Sequence, residues 1–412
     1  MKITQIVLIS FALILVMLVY MSGTTAEARQ NPDINTVVKG NNAFALDIYN
    51  KLKHTEGNLF FSPYSISTAL AMTYAGARNN TAEQMAQTLN FTLAPDRLHP
   101  AFASIQKQLN AVKKKGNIQL SIANTLWPQK GYPFLQDYLA LTEKYYGVSI
   151  TPLDYKNAPE ASRKEINTWV EKKTENKITE LIQKGILDEL TRLVLVNAIY
   201  FKGNWMQQFR KSRTADAPFW LSPGKSVQVP MMRQNKKFRY KETDNLQILE
   251  LPYIGNDLSM TVLLPKKING LPELENNLTA ENVNKWTNGL INMGLRIFLP
   301  KFKMTSQFKL KDTLKSMGMV DAFNDTKADF SGMDGKKQWL YIGAVIHKAF
   351  IDVNEEGSEA AAATAVVMKT RSAVRSEPPV FRADHPFVFL IRDNVSGSIL
   401  FLGRVIMVNG EW

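Results

Sequence analysis

The stretch Asn354-Glu355-Glu356-Gly357-Ser358-Glu359-Ala360-Ala361-Ala362-Ala363-Thr364-Ala365-Val366-Val367 decides how this chain is read. By local propensity it is a short Ala-rich helix, since Ala is the best helix former and Ser358-Glu359 suits a helix start. Its surroundings oppose that reading. Ile346 to Val353, just before it, reads as a strand. Met368 to Val380, just after it, carries Lys369, Arg371 and Arg375 and then Pro378-Pro379, which continue neither a helix nor a ladder. The whole segment is therefore expected to be a long exposed loop, and such loops are uncommon unless they are functional.

The loop sits in a strand-rich second half. Strands fit Leu246 to Leu251, Leu258 to Leu264, Gly294 to Leu299, Phe387 to Arg392 and Ile399 to Val405, and Leu193 to Phe201 is a short apolar run of the kind buried in mid-sheet. Helical spacing fills the first half, at Asn35 to Lys53, Ser65 to Ala77 behind Ser62-Pro63, Leu98 to Val112, Pro133 to Tyr145 and Ala158 to Lys173. Thr81 followed by Gln84 predicts a capping box for a helix over Ala82 to Leu89. Helices leading and strands gathering late describe a mixed α+β domain. No repeat or low-complexity linker divides residues 29 to 412, so one domain is expected despite a prior of about 150 residues per domain.

The 412 residues are 45% hydrophobic and 21% charged, which is the composition of a folded chain. Fifty Lys and Arg against 37 Asp and Glu give +13, a field that favours polyanions. Lys2, the apolar run Ile6 to Met21 and the small residues ending Ala26-Glu27-Ala28 have the pattern of a secretory signal peptide over residues 1–28, with cleavage expected before Arg29 and an uncleaved anchor as the alternative. The apolar run is shorter than the roughly 20 residues of a membrane span, so no membrane association is expected after cleavage. The expected localisation is secreted and extracellular. Without a single cysteine, the domain must be stable through its core alone. Asn79, Asn90, Asn277, Asn324 and Asn394 each begin an Asn-x-Ser/Thr triplet and are candidate N-glycosylation sites.

Enzymatic chemistry finds little to build on. There is no Gly-x-Ser-x-Gly elbow and no His-Glu-x-x-His, and His54, His99, His347 and His385 are scattered, so no metal is expected. Gly224-Lys225-Ser226 lacks the upstream glycine of a phosphate loop, that position being Phe219, and reads as a turn between strands. The adjacent Glu355 and Glu356 would point to opposite faces of a strand and are expected to be solvated. The positive charge comes with no nucleic-acid recognition motif, so no nucleic acid is expected as a partner.

Five ordered blocks resemble the serpin family over essentially the whole mature chain. They are Asn58-Leu-Phe-Phe-Ser-Pro-Tyr-Ser-Ile-Ser67, Val196-Asn-Ala-Ile-Tyr-Phe-Lys-Gly-Asn-Trp205, Asn354 to Thr364, Asp384-His-Pro-Phe-Val-Phe-Leu-Ile391 and Phe401-Leu-Gly-Arg404. Met407-Val408 stands where the family usually has Asn-Pro. The resemblance implies an α+β serpin fold over residues 29–412, with about nine helices, three β-sheets and an exposed reactive-centre loop at about 355–380. It also implies a monomer that is not an enzyme but a suicide substrate. A protease acylated on the loop is trapped when the cleaved loop inserts into the main sheet, a form of strand addition that releases stored strain.

The family's hinge maps onto Glu355, Gly357, Ser358, Glu359, Ala360, Ala361, Ala362, Ala363 and Thr364. With a period of two, Ser358, Ala360, Ala362, Thr364 and Val366 share the inserting face, all small or β-branched, while Glu359 faces water. That face favours an inhibitor over a non-inhibitory carrier or chaperone, because a buried charge or proline there would oppose insertion. Counting along the family's hinge places the reactive bond at Arg371-Ser372, with Arg375 and Lys369 as alternatives. The Arg-Ser bond is similar to that of antithrombin and implies a trypsin-like serine protease as the covalent partner. The family's shutter maps onto Ser62, Ser65, Asn197 and His347, and its breach onto Trp205. Lys107, with Lys113, Lys114 and Lys115, resembles the family's heparin-binding helix, so a glycosaminoglycan is a candidate accelerator although no cofactor is required.

Overall fold

The computed structural model describes residues 31–115, 118–148, 150–337, 340–358 and 377–408. The chain opens with helix α1 (Pro32–Leu52), capped by the Asn31 side chain, which accepts the Asp33 N–H. Strand β1 (Leu59–Phe61) leads into α2 (Pro63–Tyr74), where Ser62 is the N-cap and Pro63 fills the first turn. All but one residue of α2 is buried, as expected of a helix that is apolar on every side. Helices α3 (Asn79–Thr88) and α4 (Pro95–Lys114), strand β2 (Ile118–Pro128), α5 (Gln136–Tyr146) and α6 (Pro159–Lys173) complete the helical half.

The capping box predicted for α3 does not form. The helix starts at Asn79 without a side-chain cap. Thr81 Oγ1 instead accepts the Asp329 N–H at 2.9 Å, and Gln84 Oε1 accepts the N–H groups of Val320 and Asp321 at 2.9 and 2.7 Å. Tertiary backbone donors have outcompeted the local ones.

The second half contains β3 (Leu193–Asn204), β4 (Ala215–Ser222), β5 (Lys225–Glu242), β6 (Leu246–Pro252), β7 (Leu258–Pro265), α7 (Leu271–Asn276), α8 (Ala280–Thr287), β8 (Ile291–Pro300) and β9 (Phe302–Lys309). Two short helices, α9 (Lys311–Ser316) and α10 (Ser331–Asp334), precede β10 (Ile346–Val353), β11 (Gly357–Ser358), β12 (Val380–Arg382), β13 (Phe387–Asp393) and β14 (Ile399–Val405). Strands β1, β2, β9, β11 and β12 were not anticipated from the sequence, and the turn read at Gly224 lies between β4 and β5, whose bounds were not anticipated.

Hydrogen bonding joins the strands into a nine-stranded sheet, β1-β14-β13-β7-β6-β5-β8-β12 with β4 on β5, and a five-stranded sheet, β2-β3-β11-β10-β9. The larger sheet is two surfaces joined by the 18-residue β5, which pairs first with β4, then with β8 and finally with β6. Phe60 stacks on Phe389 and Phe401 at 5.8 and 5.2 Å between ring centroids. Gly403 makes that stack possible, since a Cβ there would lie 2.6 Å from the Phe389 ring.

In the five-stranded sheet, β3 and β10 pair directly and in parallel from His347↔Asn197 to Phe350↔Tyr200. Past that stretch they separate, and β11 enters between them, pairing with Gly203 and Asn204 on one side and Val353 on the other. The sheet is thus closed in its middle and wedged open at one end by the first residues of the loop.

Candidate functional site

After β10 the chain reverses through Asn354, whose N–H donates to the Gly357 carbonyl at 2.8 Å and whose Oδ1 accepts the Glu356 N–H at 3.1 Å. Gly357 is required by proximity, because a Cβ there would sit 2.0 Å from the Gly203 carbonyl oxygen. Ser358 is fully buried, with Oγ 2.9 Å from the Tyr253 hydroxyl. Tyr253 stacks on Trp205 at 4.7 Å, and Trp205 binds the hinge twice, through Nε1–H to the Asn354 carbonyl at 3.0 Å and through its backbone N–H to the Glu356 carbonyl at 2.9 Å. Phe209 N–H donates to the Glu355 carbonyl at 2.8 Å.

The two hinge glutamates are buried, which corrects the expectation of solvated charges. Glu355 is held between Lys301 Nζ at 3.0 Å and the Thr214 hydroxyl at 2.8 Å. Burial pushes its pKa up, but these bonds outweigh it and keep the carboxyl below the ordinary glutamate value. Glu356 Oε1 meets Lys211 Nζ at 2.7 Å, while its Oε2 is buried without a hydrogen-bond partner. Lys211, Thr214, Tyr253 and Lys301 were not singled out from the sequence. Their only signal is tertiary, since each lies far from the hinge in the chain.

Below the hinge, the sequence-predicted Ser62, Ser65, Asn197 and His347 form one buried cluster. His347 Nε2 accepts the Ser62 N–H at 3.0 Å, so its proton sits on Nδ1 and is donated to Asn197 Oδ1 at 2.6 Å. Asn197 Nδ2 donates to Ser65 Oγ at 2.6 Å, and Ser62 Oγ donates to the Leu400 carbonyl at 2.6 Å. Burial lowers the His347 pKa to about 3, so the ring is neutral. Both ring nitrogens are occupied and neither meets a serine hydroxyl, so the cluster ties α2 to β3 and β10 and is not a nucleophile and base. The buried His99, lowered to about 4 by burial, rests its Nδ1 2.6 Å from the Tyr146 hydroxyl. Among the described residues, no group of three His, Cys, Asp or Glu is placed to hold a metal ion.

Lys107, Lys113 and Lys114 are exposed along α4, whereas Lys115 Nζ lies 2.8 Å from both carboxylate oxygens of Asp257. Asn79, Asn277 and Asn394 are exposed, and Asn90 and Asn324 are partly so. The signal segment, hinge residues Glu359, Ala360, Ala361, Ala362, Ala363 and Thr364, and the reactive candidates Lys369, Arg371, Ser372 and Arg375 lie outside the described residues.

The model of the serpin family, described as serine protease inhibitors, matches residues 39–408. The leukocyte elastase inhibitor of Equus caballus is 46% identical over 374 residues, covering 88% of this chain and 97% of that protein. Among solved structures, Serpin48 of the insect Tenebrio molitor superimposes with a TM-score of 0.80 at 33% identity, covering 92% of this chain and 100% of that one. Human thyroxine-binding globulin does so with a TM-score of 0.82 at 30% identity, over 92% and 100%. With the family model spanning nearly the whole described chain and relatives this similar, the chain belongs to the serpin family of serine protease inhibitors.

Proposed function

We propose that this protein is a secreted suicide-substrate inhibitor of a trypsin-like serine protease, attacked at Arg371-Ser372 after residues 1–28 are removed. The observation that carries the reading is the position of Ser358, paired with Gly203 and Val353 and buried between the two strands that an inserting loop must part. On insertion, the same antiparallel register would set Thr364 between Asn197 and His347, and Val367 and Met368 between Val194 and Leu193 on one side and Ala344 and Gly343 on the other. Ser358 to Arg371 is then roughly 46 Å of new strand, enough to carry an acylated protease across the domain.

The fold by itself does not choose between trap and carrier, since thyroxine-binding globulin shares it. The small inserting face from Ser358 to Val366 supports the trap. The similar leukocyte elastase inhibitor is named for elastase, whereas Arg371 in this chain favours a protease with an acidic specificity pocket. The exposed lysines of α4 support a glycosaminoglycan as accelerator.

The test is to mix the mature chain with trypsin, thrombin and elastase and to resolve the products on denaturing gels. A covalent complex with trypsin or thrombin, and a released fragment beginning at Ser372, is the expected result. A complex with elastase alone, or a fragment beginning elsewhere, moves the reactive bond. Cleavage by all three without a complex overturns the trap. Recovery of protein beginning at Arg29 from the medium of expressing cells tests secretion.

A further inference from the structure

At the end of the five-stranded sheet opposite the hinge, β3 and the chain leading into β10 diverge around a cavity of about 410 Å³. Apolar side chains from Ile182, Ile186, Val194, Phe330, Met333 and Ile346 share its lining with the polar Thr73, Asp188, Thr191, Arg192 and Lys311. Leu190 and Tyr341 stand at its lining with 68% and 48% of their surface exposed, unusually large values for such side chains. The volume, with apolar side chains and a few polar groups at the lining, is that of a small-molecule site.

The polar groups at the lining set the charge of the occupant. Asp188 Oδ1 is already engaged by the Leu190 N–H and the Thr191 hydroxyl at 3.0 and 2.9 Å. The Arg192 guanidinium donates only to the carbonyls of Glu189 and Thr191, at 2.8 and 3.1 Å, and Lys311 rests over the Phe323 ring. Neither cation has a carboxylate partner among the described residues. From the cavity's apolar side chains and these two cations, we infer that it binds a small apolar ring compound carrying a carboxylate or sulfonate.

Its position gives the site a consequence, which rests on the loop-insertion reading above. Leu193, Val194, Gly343 and Ala344 line the cavity, and they are the residues that the extended register sets beside Val367 and Met368. Ligand and fully inserted loop therefore exclude one another. An occupied cavity stalls insertion before the acyl-enzyme is distorted, and the protease completes hydrolysis. The bond between Arg371 and the protease serine then breaks to water, releasing active protease and cleaved inhibitor.

The probe is anilinonaphthalene sulfonate, followed by its fluorescence with the intact full chain. A Cβ at Gly343 meets nothing within 4 Å, so Gly343→Phe fills the mouth without backbone strain, and Ile186→Glu sets a like charge against the sulfonate. Thermal unfolding confirms that each variant is folded. Affinity at least tenfold weaker in both folded variants is expected, and unchanged affinity in either overturns the site. The dye should also raise the proportion of cleaved, uncomplexed inhibitor in a trypsin reaction, and a loop-cleaved, inserted sample should no longer bind it. Dye binding retained after insertion overturns the exclusion. If cleavage produces no inserted form, as judged by an unchanged unfolding temperature, the trap reading fails, while the comparison of intact chain with variants still decides the site.

Discussion

The hydroxyls of Ser358 and Tyr253 meet at 2.9 Å inside the five-stranded sheet, so the first residue of the inserting face is already packed as a sheet residue. An arginine at 358 cannot occupy that position without burying an unpaired charge. Ser358→Arg is expected to leave cleavage by trypsin intact and to reduce covalent complex at least tenfold, with cleaved inhibitor accumulating instead. Undiminished complex on denaturing gels would remove Ser358 from the inserting face.

His347 makes stability depend on pH. Below about pH 6.5 the unfolded imidazole takes up a proton that the folded one refuses until about pH 3. The unfolded state then binds more protons, so stability is fully present above pH 6.5 and falls through the window below it by up to about 1.4 kcal/mol per pH unit. His99, held at about 4, adds a second contribution of the same sign. His347→Gln keeps a donor and an acceptor but does not titrate, so the unfolding temperature of the variant should change less between pH 7 and pH 5 than that of the parent. Parallel curves would assign the acid sensitivity elsewhere.

Lys301 and Lys211 hold the two buried hinge carboxylates from the surface side. Lys301→Met keeps the aliphatic stem and leaves the Glu355 carboxylate with the Thr214 hydroxyl and a backbone N–H but no cation in contact. A cost of about 1–3 kcal/mol is expected, at the low end because the Lys301 side chain is partly exposed. Glu355→Gln in the same background should recover part of it. Denaturant unfolding of the two single variants and the double variant reads this coupling directly.

Among the four lysines of the candidate polyanion surface, Lys115 is already committed to Asp257. Lys113→Ala and Lys114→Ala should each lower the salt concentration at which the protein leaves a heparin column. Lys115→Ala should lower it less, because the Lys115 ammonium is already engaged by Asp257 and is not available to contact the polyanion. Equal shifts would mean that the column reads net charge and not a site.

The hinge was legible because its requirement is local: small side chains at alternate positions carry their meaning in sequence order. The blocks around Ser62, Asn197 and His347 were legible as family likeness, but their convergence on one imidazole is not written in any spacing. β5 escaped notice for a physical reason. Its residues serve three partner strands in turn and alternate only in patches, with Arg233, Lys236, Lys237 and Arg239 exposed along it. β9 is an edge strand whose Phe302 and Met304 are buried while the rest of it is polar or partly exposed. Glu355 and Glu356 were misread because adjacency on a regular strand was assumed, whereas the chain turns there, and their lysine partners come from β4's approach and the β8–β9 corner.

On the proposed reading, Arg371 is the residue that sets target choice. If the protease pocket pairs its acid with this guanidinium, Arg371→Ala removes a charge-assisted bidentate contact without touching the sheet, the hinge or the buried cluster. The variant should unfold at the temperature of the parent and lose complex formation with trypsin by at least a hundredfold. It should also gain complex formation with elastase, whose small specificity pocket admits alanine. Because the inserting strand keeps its length and its face, trapping of the new target is expected to be as complete as trapping of the old one. Retained trapping of trypsin, with a released fragment beginning at Ser376 or Thr370, would assign the bond to Arg375 or Lys369. The inserted arm would then be longer or shorter than 14 residues, and the register that places Met368 beside Leu193 would no longer end at the reactive bond.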